Sequence, residues 1–212
     1  MKLYLSSFQL GDHPDRLASL VGPNKKTAII MNAGDAFGDS ERPKYLAKYT
    51  QDLMSIGLIG EELDLRKFFG KSAQLEQEMR KFGLIWAVGG NSFNLLRAMH
   101  WSGFNKILPK LLQDFDLVYG GFSAGTCVVT PSLRGIELVD DPNSIPANYS
   151  PEIILDGLGL VEFHIAPHYK SPHPESAAID KVVAYFEENR MKYETLVDGQ
   201  AIIVNEKFVE KI

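Results

Sequence analysis

A serine in a glycine-rich turn is the first feature of this sequence that could carry chemistry. Gly121-Phe122-Ser123-Ala124-Gly125 follows an apolar segment, Leu117–Tyr119, and precedes small residues that can start a helix. In such a strand-turn-helix context, a tight bend exposes the Ser123 hydroxyl at the edge of a sheet, where it can attack a carbonyl carbon. An ordinary N-cap serine is the alternative. Cys127, a second possible nucleophile, falls one turn inside the helix, where a small buried thiol is expected.

A second junction of strand, glycines and helix could supply the donors that acyl transfer needs. Gly89-Gly90-Asn91 follows the apolar segment Leu84–Val88, and backbone N–H groups at such junctions point at anions. The string lacks both G-x-x-x-x-G-K-[ST] and G-x-G-x-x-G, so a nucleotide loop is not expected. We predict that Gly90 and Ala124 donate to one oxyanion. Asn91 then caps the helix or touches substrate, and the alternative is a helix entrance with Asn91 as N-cap only.

Histidine is the usual general base of such a site, and His168 is the best placed of the five in the chain. It follows the predicted strand Glu162–Ile165, at the carboxyl edge where catalytic groups of parallel α/β sheets gather. His164 lies within that strand and is predicted to be structural. His173 lies between two prolines and is predicted to be on an exposed loop. The remaining two, predicted to be structural or exposed, are His13 and His100.

A catalytic imidazole needs a third group that holds its tautomer and offsets its positive charge. Asp198 lies at a turn between two short late strands and could reach the same edge. Glu175 is the rival, although the dipole of the helix that follows it accounts for a carboxylate there. For Asp198 the alternative is a plain Asp-Gly hairpin turn. The chain order Ser123, His168, Asp198 differs from the serine, acid, histidine order of α/β-hydrolases.

Short apolar segments alternate with helical patterns, which predicts βαβ units around a mainly parallel sheet. The clearest helical stripe is Ile179, Val182, Val183 and Phe186, at i, i+3, i+4 and i+7. The chain has no repeat or linker, so one domain over residues 1–212 is expected. The candidate strands are Leu3–Leu5, Thr27–Met31, Glu61–Leu65, Leu84–Val88, Leu117–Tyr119, Glu162–Ile165 and Ala201–Val204.

Composition argues against several classes of function. The 212 residues include 22 basic and 27 acidic ones, a net charge of −5 without a long block of either sign, so a nucleic-acid or polybasic membrane binder is not expected. No apolar run approaches the ~18 residues of a membrane span, and the N-terminus lacks a signal-peptide core. The single cysteine, Cys127, fits a reducing cytoplasm. No Cys/His cluster has the spacing of a zinc site.

One connection is longer than its neighbours require. Arg134–Ser150 passes through Asp140-Asp141-Pro142-Asn143 and Pro146-Ala147-Asn148-Tyr149, a turn-rich segment. Long loops in compact domains often carry function, so we expect this loop to shape a substrate pocket. A surface insertion without function is the alternative.

Four motifs in this order resemble the dipeptidase E and cyanophycinase group of serine peptidases, related in fold to class I glutamine amidotransferases. They are Val88-Gly89-Gly90-Asn91, Gly121-Phe122-Ser123-Ala124-Gly125, Pro167-His168-Tyr169 and the Asp198-Gly199 turn. The resemblance implies a three-layer α/β/α sandwich with a mainly parallel central sheet and no metal or organic cofactor. It also implies Ser123 as nucleophile, His168 as general base, and Gly90 with Ala124 as oxyanion donors. Dipeptidase E members have Glu where this chain has Asp198.

The resemblance further implies a hydrolase that cleaves small peptides through an acyl-enzyme, with a homodimer as one possible assembly. An esterase or amidase with the same triad and a non-catalytic ligand-binding protein are the alternatives. In aspartyl dipeptidases the helix after the histidine opens with Glu-x-Arg, and that arginine binds the substrate's aspartate. Here the residues are Glu175-Ser176-Ala177, so we expect weak or no preference for an N-terminal aspartate. Lys170 and Arg134 are the nearest candidate cations for substrate binding.

Overall fold

The computed structural model of the protein describes residues 1–38, 40–206 and 208–212. The strands within these ranges are β1 (Lys2–Ser6), β2 (Lys26–Ile30), β3 (Ile59–Glu62), β4 (Leu84–Ala87), β5 (Val118–Phe122), β6 (His164–Ala166), β7 (Tyr193–Thr195), β8 (Ala201–Asn205) and β9 (Phe208–Lys211). The α-helices are α1 (Pro14–Leu20), α2 (Arg42–Met54), α3 (Ser72–Met79), α4 (Ser92–Ser102), α5 (Phe104–Asp114), α6 (Ala124–Cys127) and α7 (Ser176–Glu188). Short 3-10 helices span Asn32–Phe37, Leu65–Phe68 and Ile136–Leu138.

The main sheet has the strand order β3-β2-β4-β5-β1-β8-β9. The first five strands in this order run parallel, whereas β8 is antiparallel to β1 and β9 is antiparallel to β8. The β1–β5 register pairs Ser6 with Phe122, so the segments that follow these two strands leave the sheet side by side at its carboxyl edge. The strands β6 and β7 form a separate parallel pair.

Side chains of the central strands point alternately to the two faces of the sheet, as strand geometry requires. Leu3 and Leu5 of β1 belong to a core that also holds buried side chains of α3 to α7. Tyr4 belongs to a second core, which holds Leu17 of α1 and Leu53 of α2. Helices therefore cover both faces, and the predicted three-layer α/β/α sandwich is confirmed. No helix in the described ranges is long and apolar enough to cross a membrane.

Most predicted strands overlap observed ones, and the differences have local causes. The predicted strand Glu61–Leu65 is observed as β3 at Ile59–Glu62, because the Asp64 carboxylate accepts the Arg66 N–H and starts a 3-10 helix there. The predicted strand Glu162–Ile165 begins only at His164 and joins the small sheet rather than the large one. All four residues of the predicted α7 stripe are buried.

Candidate active site

Ser123 lies at a sharp bend between β5 and α6. Its backbone has φ 51° and ψ −115°, a left-handed conformation that costs energy in a residue with a Cβ atom and that is found at functional sites. The Ser123 N–H donates to the Ser7 carbonyl oxygen at 3.1 Å. A side chain at Gly125 would clash with the carbonyl oxygen of Ala87, so the glycine lets α6 pack directly on β4. The bend therefore holds Ser123, which is half-buried, at the carboxyl edge of the sheet.

The two predicted oxyanion donors flank this serine. Gly90 has φ 132°, and a Cβ atom there would lie 2.7 Å from the Ala33 carbonyl oxygen, so this position requires glycine. A Cβ atom added to Gly89 would lie 3.2 Å from the Ser123 Cβ, so the glycine loop lies directly against the serine. Among the described residues, neither the Gly90 N–H nor the Ala124 N–H donates a hydrogen bond within the chain. Both donors are therefore available to a ligand.

Asn91 is engaged within the protein at both ends of its amide. Its Oδ1 accepts the Asn94 N–H at 3.0 Å, which caps α4. Its Nδ2 donates to the Asp141 carbonyl oxygen at 2.9 Å. The side chain therefore fastens the glycine loop to the long connection after Arg134, and these two contacts correspond to the N-cap interpretation rather than to substrate contact.

His168 and Asp198 form a hydrogen-bonded pair at the same edge. The distance from His168 Nδ1 to Asp198 Oδ1 is 2.7 Å, and the histidine side chain is 1% exposed against 17% for the aspartate. A carboxylate acceptor places the ring proton on Nδ1 and leaves the lone pair of Nε2 free to act as a base. The backbone N–H of Asp198 donates to Ser171 Oγ at 2.8 Å. Asp198 lies in the turn between β7 and β8, which belong to different sheets, so the turn is not a hairpin. Its carboxylate reaches the imidazole although aspartate is shorter than glutamate.

Ser7, which the sequence analysis did not single out, touches all three of these residues. Its carbonyl oxygen accepts the Ser123 N–H, and its Oγ accepts the His168 N–H at 2.8 Å. The same hydroxyl lies 2.8 Å from Asp198 Oδ1, to which it donates. Ser7 is fully buried. Its place directly after β1, next to the end of β5, is the one sequence signal that could have indicated this role.

His173 lies against His168, so the prediction of an exposed loop position is wrong. The His173 and His168 rings are parallel within 8° with centroids 3.7 Å apart. Phe8 meets both rings edge-on, with centroids 5.9 and 5.6 Å away. Only 20% of the His173 side chain is exposed. Stacking and the Asp198 hydrogen bond together fix the plane of the His168 ring.

The surroundings of His168 lower its pKa below the ordinary histidine value. Burial is the main cause, since it penalises the charged imidazolium, and the nearby His173 lowers the pKa further. The hydrogen bond and the charge of Asp198, together with the charge of Glu175, act in the opposite direction but do not outweigh burial. His168 is therefore neutral, and competent as a base, at neutral pH.

Glu175 approaches the other side of the imidazole. Its Oε2 lies 4.0 Å from His168 Nε2 and 3.9 Å from His173 Nδ1, so the carboxylate that orients Nδ1 is Asp198 and not Glu175. The ligand atoms of these three residues all lie within 4.8 Å of one another, a spacing that could hold a metal ion. The stacked rings do not suit one, because a single ion cannot lie in two parallel ring planes 3.7 Å apart. His173 Nδ1 also accepts the Glu175 N–H at 3.3 Å.

The loop from Arg134 to Ser150 is docked on the start of α4. The Ser92 N–H donates to Asp140 Oδ2 at 2.8 Å. Arg97, with 1% exposure, donates to the carbonyl oxygens of Pro142 at 2.6 Å and Glu152 at 2.9 Å. Burial raises the pKa of Asp140 to about 6, and the charge of Glu175 adds to this. The loop therefore covers the entrance of the helix that follows the oxyanion loop.

The two candidate cations do not contact the triad. Lys170 is exposed, has φ 49°, and places its Nζ 4.9 Å from the centroid of the Tyr169 ring. Arg134 is exposed at the start of the long loop. Within the described part of the chain, neither side chain forms an ion pair by the 4.0 Å criterion with Asp198 or Glu175.

Two other residues weighed as alternatives are structural. His164 Nε2 lies 3.1 Å from Ser132 Oγ, and its ring packs on Phe186 with centroids 5.2 Å apart. Cys127 is 3% exposed, and burial raises the pKa of its thiol far above the usual range. A buried, protonated thiol is a poor nucleophile, so Ser123 is the better candidate nucleophile at this edge.

A strained serine beside two free N–H donors and a histidine–carboxylate pair is suited to acyl transfer. The fold and the site together define the class, a serine hydrolase built on an α/β/α sandwich. The chain belongs to peptidase family S51, whose family profile matches residues 9–212.

Two proteins of similar sequence support this assignment. The chain is 40% identical over 92 residues to Peptidase E of Streptomyces coelicolor, a match covering 43% of this chain and 34% of that protein. It is 36% identical over 101 residues to a Drosophila melanogaster protein named as a probable alpha-aspartyl dipeptidase, covering 48% of this chain and 39% of the other. These two matches therefore span well under half of either relative.

Two solved structures share this fold over the whole chain. A candidate Peptidase E from Listeria monocytogenes EGD-e superposes with a TM-score of 0.76 at 26% identity, covering 100% of this chain and 97% of that one. A peptidase from an acI-B1 Actinobacterium gives a TM-score of 0.69 at 13% identity, with coverage of 100% and 86%. The second likeness concerns the fold alone.

Proposed function

We propose that the protein is a serine peptidase that cleaves small peptides through an acyl-enzyme on Ser123. The observation that carries the proposal is the 2.7 Å hydrogen bond between His168 and Asp198, formed at the sheet edge where Ser123 lies. Structural histidines also form hydrogen bonds, but here the bond leaves Nε2 available as a base. Ser7 links the His168 backbone to that of the strained Ser123. Membership of peptidase family S51 supports the same conclusion.

The reaction follows from the positions of these groups. His168 Nε2 takes the proton of Ser123 Oγ while the oxygen attacks the peptide carbonyl carbon, and the Gly90 and Ala124 N–H groups hold the oxyanion. Asp198 offsets the charge of the imidazolium. His168 then gives its proton to the leaving amine, and a water molecule cleaves the ester on Ser123 by the same route. Removing one oxyanion donor in sites of this kind costs on the order of 3 kcal/mol.

Substrate must complete the contact between serine and histidine. Ser123 forms no side-chain cap hydrogen bond, and the His168 Nε2 faces Glu175 at 4.0 Å. Catalytic hydrogen bonds are often long before substrate binds and tighten in the complex. The Ser123–His168 hydrogen bond is therefore expected to form when a peptide occupies the site.

The wider setting of the activity stays a prediction. Residues 1–212 form a single domain in this proposal, supported by a sheet that both cores share. A cytoplasmic location is inferred from the single cysteine, Cys127, and a homodimer is a further expectation. Lys170 and Arg134 remain candidate substrate contacts, and no metal or organic cofactor takes part in the proposed reaction.

Covalent labelling tests the proposal directly. A fluorophosphonate probe should modify Ser123 in the wild-type protein, as located by peptide mass spectrometry, and a panel of dipeptides should be hydrolysed. Ser123→Ala should lose both reactions and melt near wild type. Cys127→Ala is the matched control and should keep both. Hydrolysis of phenyl esters without that of any dipeptide would support the esterase alternative, and an unlabelled Ser123 would support a binding protein.

A further inference from the structure

A cavity of about 270 Å³ lies beside the oxyanion loop, between the 3-10 helix Asn32–Phe37, α2 and the end of β4. The reaction proposed above does not use it. Half of its described lining residues are aromatic or aliphatic, namely Met31, Phe37, Tyr45, Tyr49 and Val88, and three more are glycines. The Tyr45 and Tyr49 rings stack within 21° of parallel, so they form a flat apolar wall.

The cavity reaches the nucleophile through Gly89. This glycine lines the cavity, and a Cβ atom placed on it would lie 3.2 Å from the Ser123 Cβ. Tyr49 on the opposite wall contacts the ring of Phe122, the residue before Ser123, with centroids 5.9 Å apart. When the carbonyl carbon of a peptide lies at Ser123, a neighbouring side chain of that peptide can therefore reach this cavity.

The charged residues at the cavity already have ionic partners. The Arg42 guanidinium lies 2.5 Å from Asp35 Oδ1 and 2.6 Å from Glu62 Oε1. Glu41 pairs with Lys44 at 3.3 Å. A charged substrate side chain would have to compete with these ion pairs, whereas an apolar one gains free energy by leaving water. The volume is slightly below the ~300 Å³ of small ligand pockets, which suits one side chain.

We propose that this cavity is a specificity pocket for one large apolar side chain of the peptide substrate, of the size of leucine or phenylalanine. The pocket rests on the proposed function, because it assigns a substrate class to the site at Ser123. It defines the substrates as small peptides with a bulky aliphatic or aromatic residue next to the cleaved bond.

Gly34 offers a way to fill the pocket without disturbing the fold. It lines the cavity, and a Cβ atom added there meets only the Phe37 Cδ2, at an ordinary contact distance of 3.9 Å. A leucine at this position should therefore extend into the cavity. Ala36 belongs to the same 3-10 helix and is not among the lining residues, so Ala36→Leu adds bulk outside the pocket as the matched control.

Kinetics on two dipeptide series test the pocket. The first residue is varied among Ala, Leu and Phe with Ala second, and then the second residue is varied with Ala first. In the wild-type protein and in Ala36→Leu, kcat/KM should rise at least tenfold from Ala to Leu or Phe in one of the series. In Gly34→Leu that rise should fall below threefold. Equal rates for Ala, Leu and Phe in both series, or a rise that survives in Gly34→Leu, would overturn the pocket.

A binding measurement separates failure of the pocket from failure of the peptidase. Calorimetric titration of Ser123→Ala with Ala-Phe, Phe-Ala and Ala-Ala should show tighter binding of one phenylalanine peptide than of Ala-Ala, and Gly34→Leu introduced into the same protein should remove the difference. If no peptide is hydrolysed but this difference is found, the proposed function fails and the pocket stands. If peptides are hydrolysed but neither the rates nor the binding show this difference, the proposed function stands and the pocket fails.

Discussion

A single buried serine, Ser7, connects the three candidate catalytic residues of this protein. Ser7 Oγ accepts from the His168 backbone and donates to Asp198, and a serine can do both because its hydroxyl is at once donor and acceptor. His168 has φ 60° and Ser123 has φ 51°, so the candidate base and the candidate nucleophile are both held in strained conformations. The buried hydrogen bonds of Ser7 help to hold them there.

Ser7→Ala should therefore lower kcat ten- to hundredfold with little change in KM. The substitution leaves the His168 N–H without its partner, and an unpaired buried donor costs about 1–3 kcal/mol. Because Asp198 raises the pKa of His168, a looser Asp198 should also move the acid limb of the pH–rate profile to lower pH. Ser6→Ala is the control, since the buried Ser6 hydroxyl donates only to the Phe8 carbonyl. Wild-type kcat in Ser7→Ala would show that Ser7 has no part in positioning.

The stacked His173 should shift the acid limb of the pH–rate profile. Activity needs neutral His168, so kcat/KM should fall as the pH drops through its pKa, which lies below the ordinary ~6.5. A charged His173 disfavours a second charge on His168, hence its removal should raise that pKa. His173→Phe keeps a flat ring and should move the limb to higher pH at similar kcat, whereas His173→Ala should lower kcat several-fold. An unchanged profile in both variants would contradict this role.

At the scale of elements, the start of α4 holds the long loop next to the oxyanion donors. Four polar contacts join them, from Asn91, Ser92, Asn94 and Arg97 to the segment around Asp140. All four residues are buried, and burial lowers the pKa of the Arg97 guanidinium. The expectation that the loop shapes a substrate site has physical support in this docking.

Arg97→Ala should detach the loop. The variant removes the donors to the carbonyl oxygens of Pro142 and Glu152, and a loss of buried hydrogen bonds to a charged group should lower the free energy of unfolding by about 2–4 kcal/mol. Urea denaturation measures that change, and steady-state kinetics should show a raised KM. Arg134→Ala, at an exposed position in the same loop, should leave the unfolding free energy within about 0.5 kcal/mol of wild type. Equal stability of the two variants would mean that Arg97 does not anchor the loop.

The elements with strong local patterns were predictable, and those set by tertiary packing were not. The central strands are buried on both faces, so they show as apolar runs, and α7 shows as a helical stripe. In contrast, β9 is exposed along its length and β7 has three half-buried residues, so neither has an apolar pattern. Ser7 and His173 gain their roles only when β1 and the segment after β6 meet at one edge, a contact that local sequence does not encode.

Across the whole molecule, the parallel strands bring the candidate catalytic groups to one edge of the sheet. The end of β1 brings Ser7, the end of β4 the Gly90 donor, and the end of β5 Ser123, while the separate β6–β7 pair brings His168 beside Asp198. Around this edge the charged side chains closest to the base are carboxylates. Glu175 lies near Nε2, and the pKa of Asp140 responds to its charge.

This charge distribution predicts poor binding of a substrate with an N-terminal aspartate. A third carboxylate would meet Glu175 and Asp140 without a matching cation, and burying an unpaired charge is costly. Wild-type kcat/KM for Asp-Leu should therefore exceed that for Ala-Leu weakly or not at all. Ala177 is exposed in the first turn of α7, two residues after Glu175, so Ala177→Arg should raise the Asp-Leu to Ala-Leu ratio at least tenfold by supplying a guanidinium partner. Ala177→Gln adds length without charge and should leave the ratio unchanged. A wild-type preference for Asp-Leu of a hundredfold would contradict the prediction and would indicate that Lys170 or Arg134 binds the aspartate.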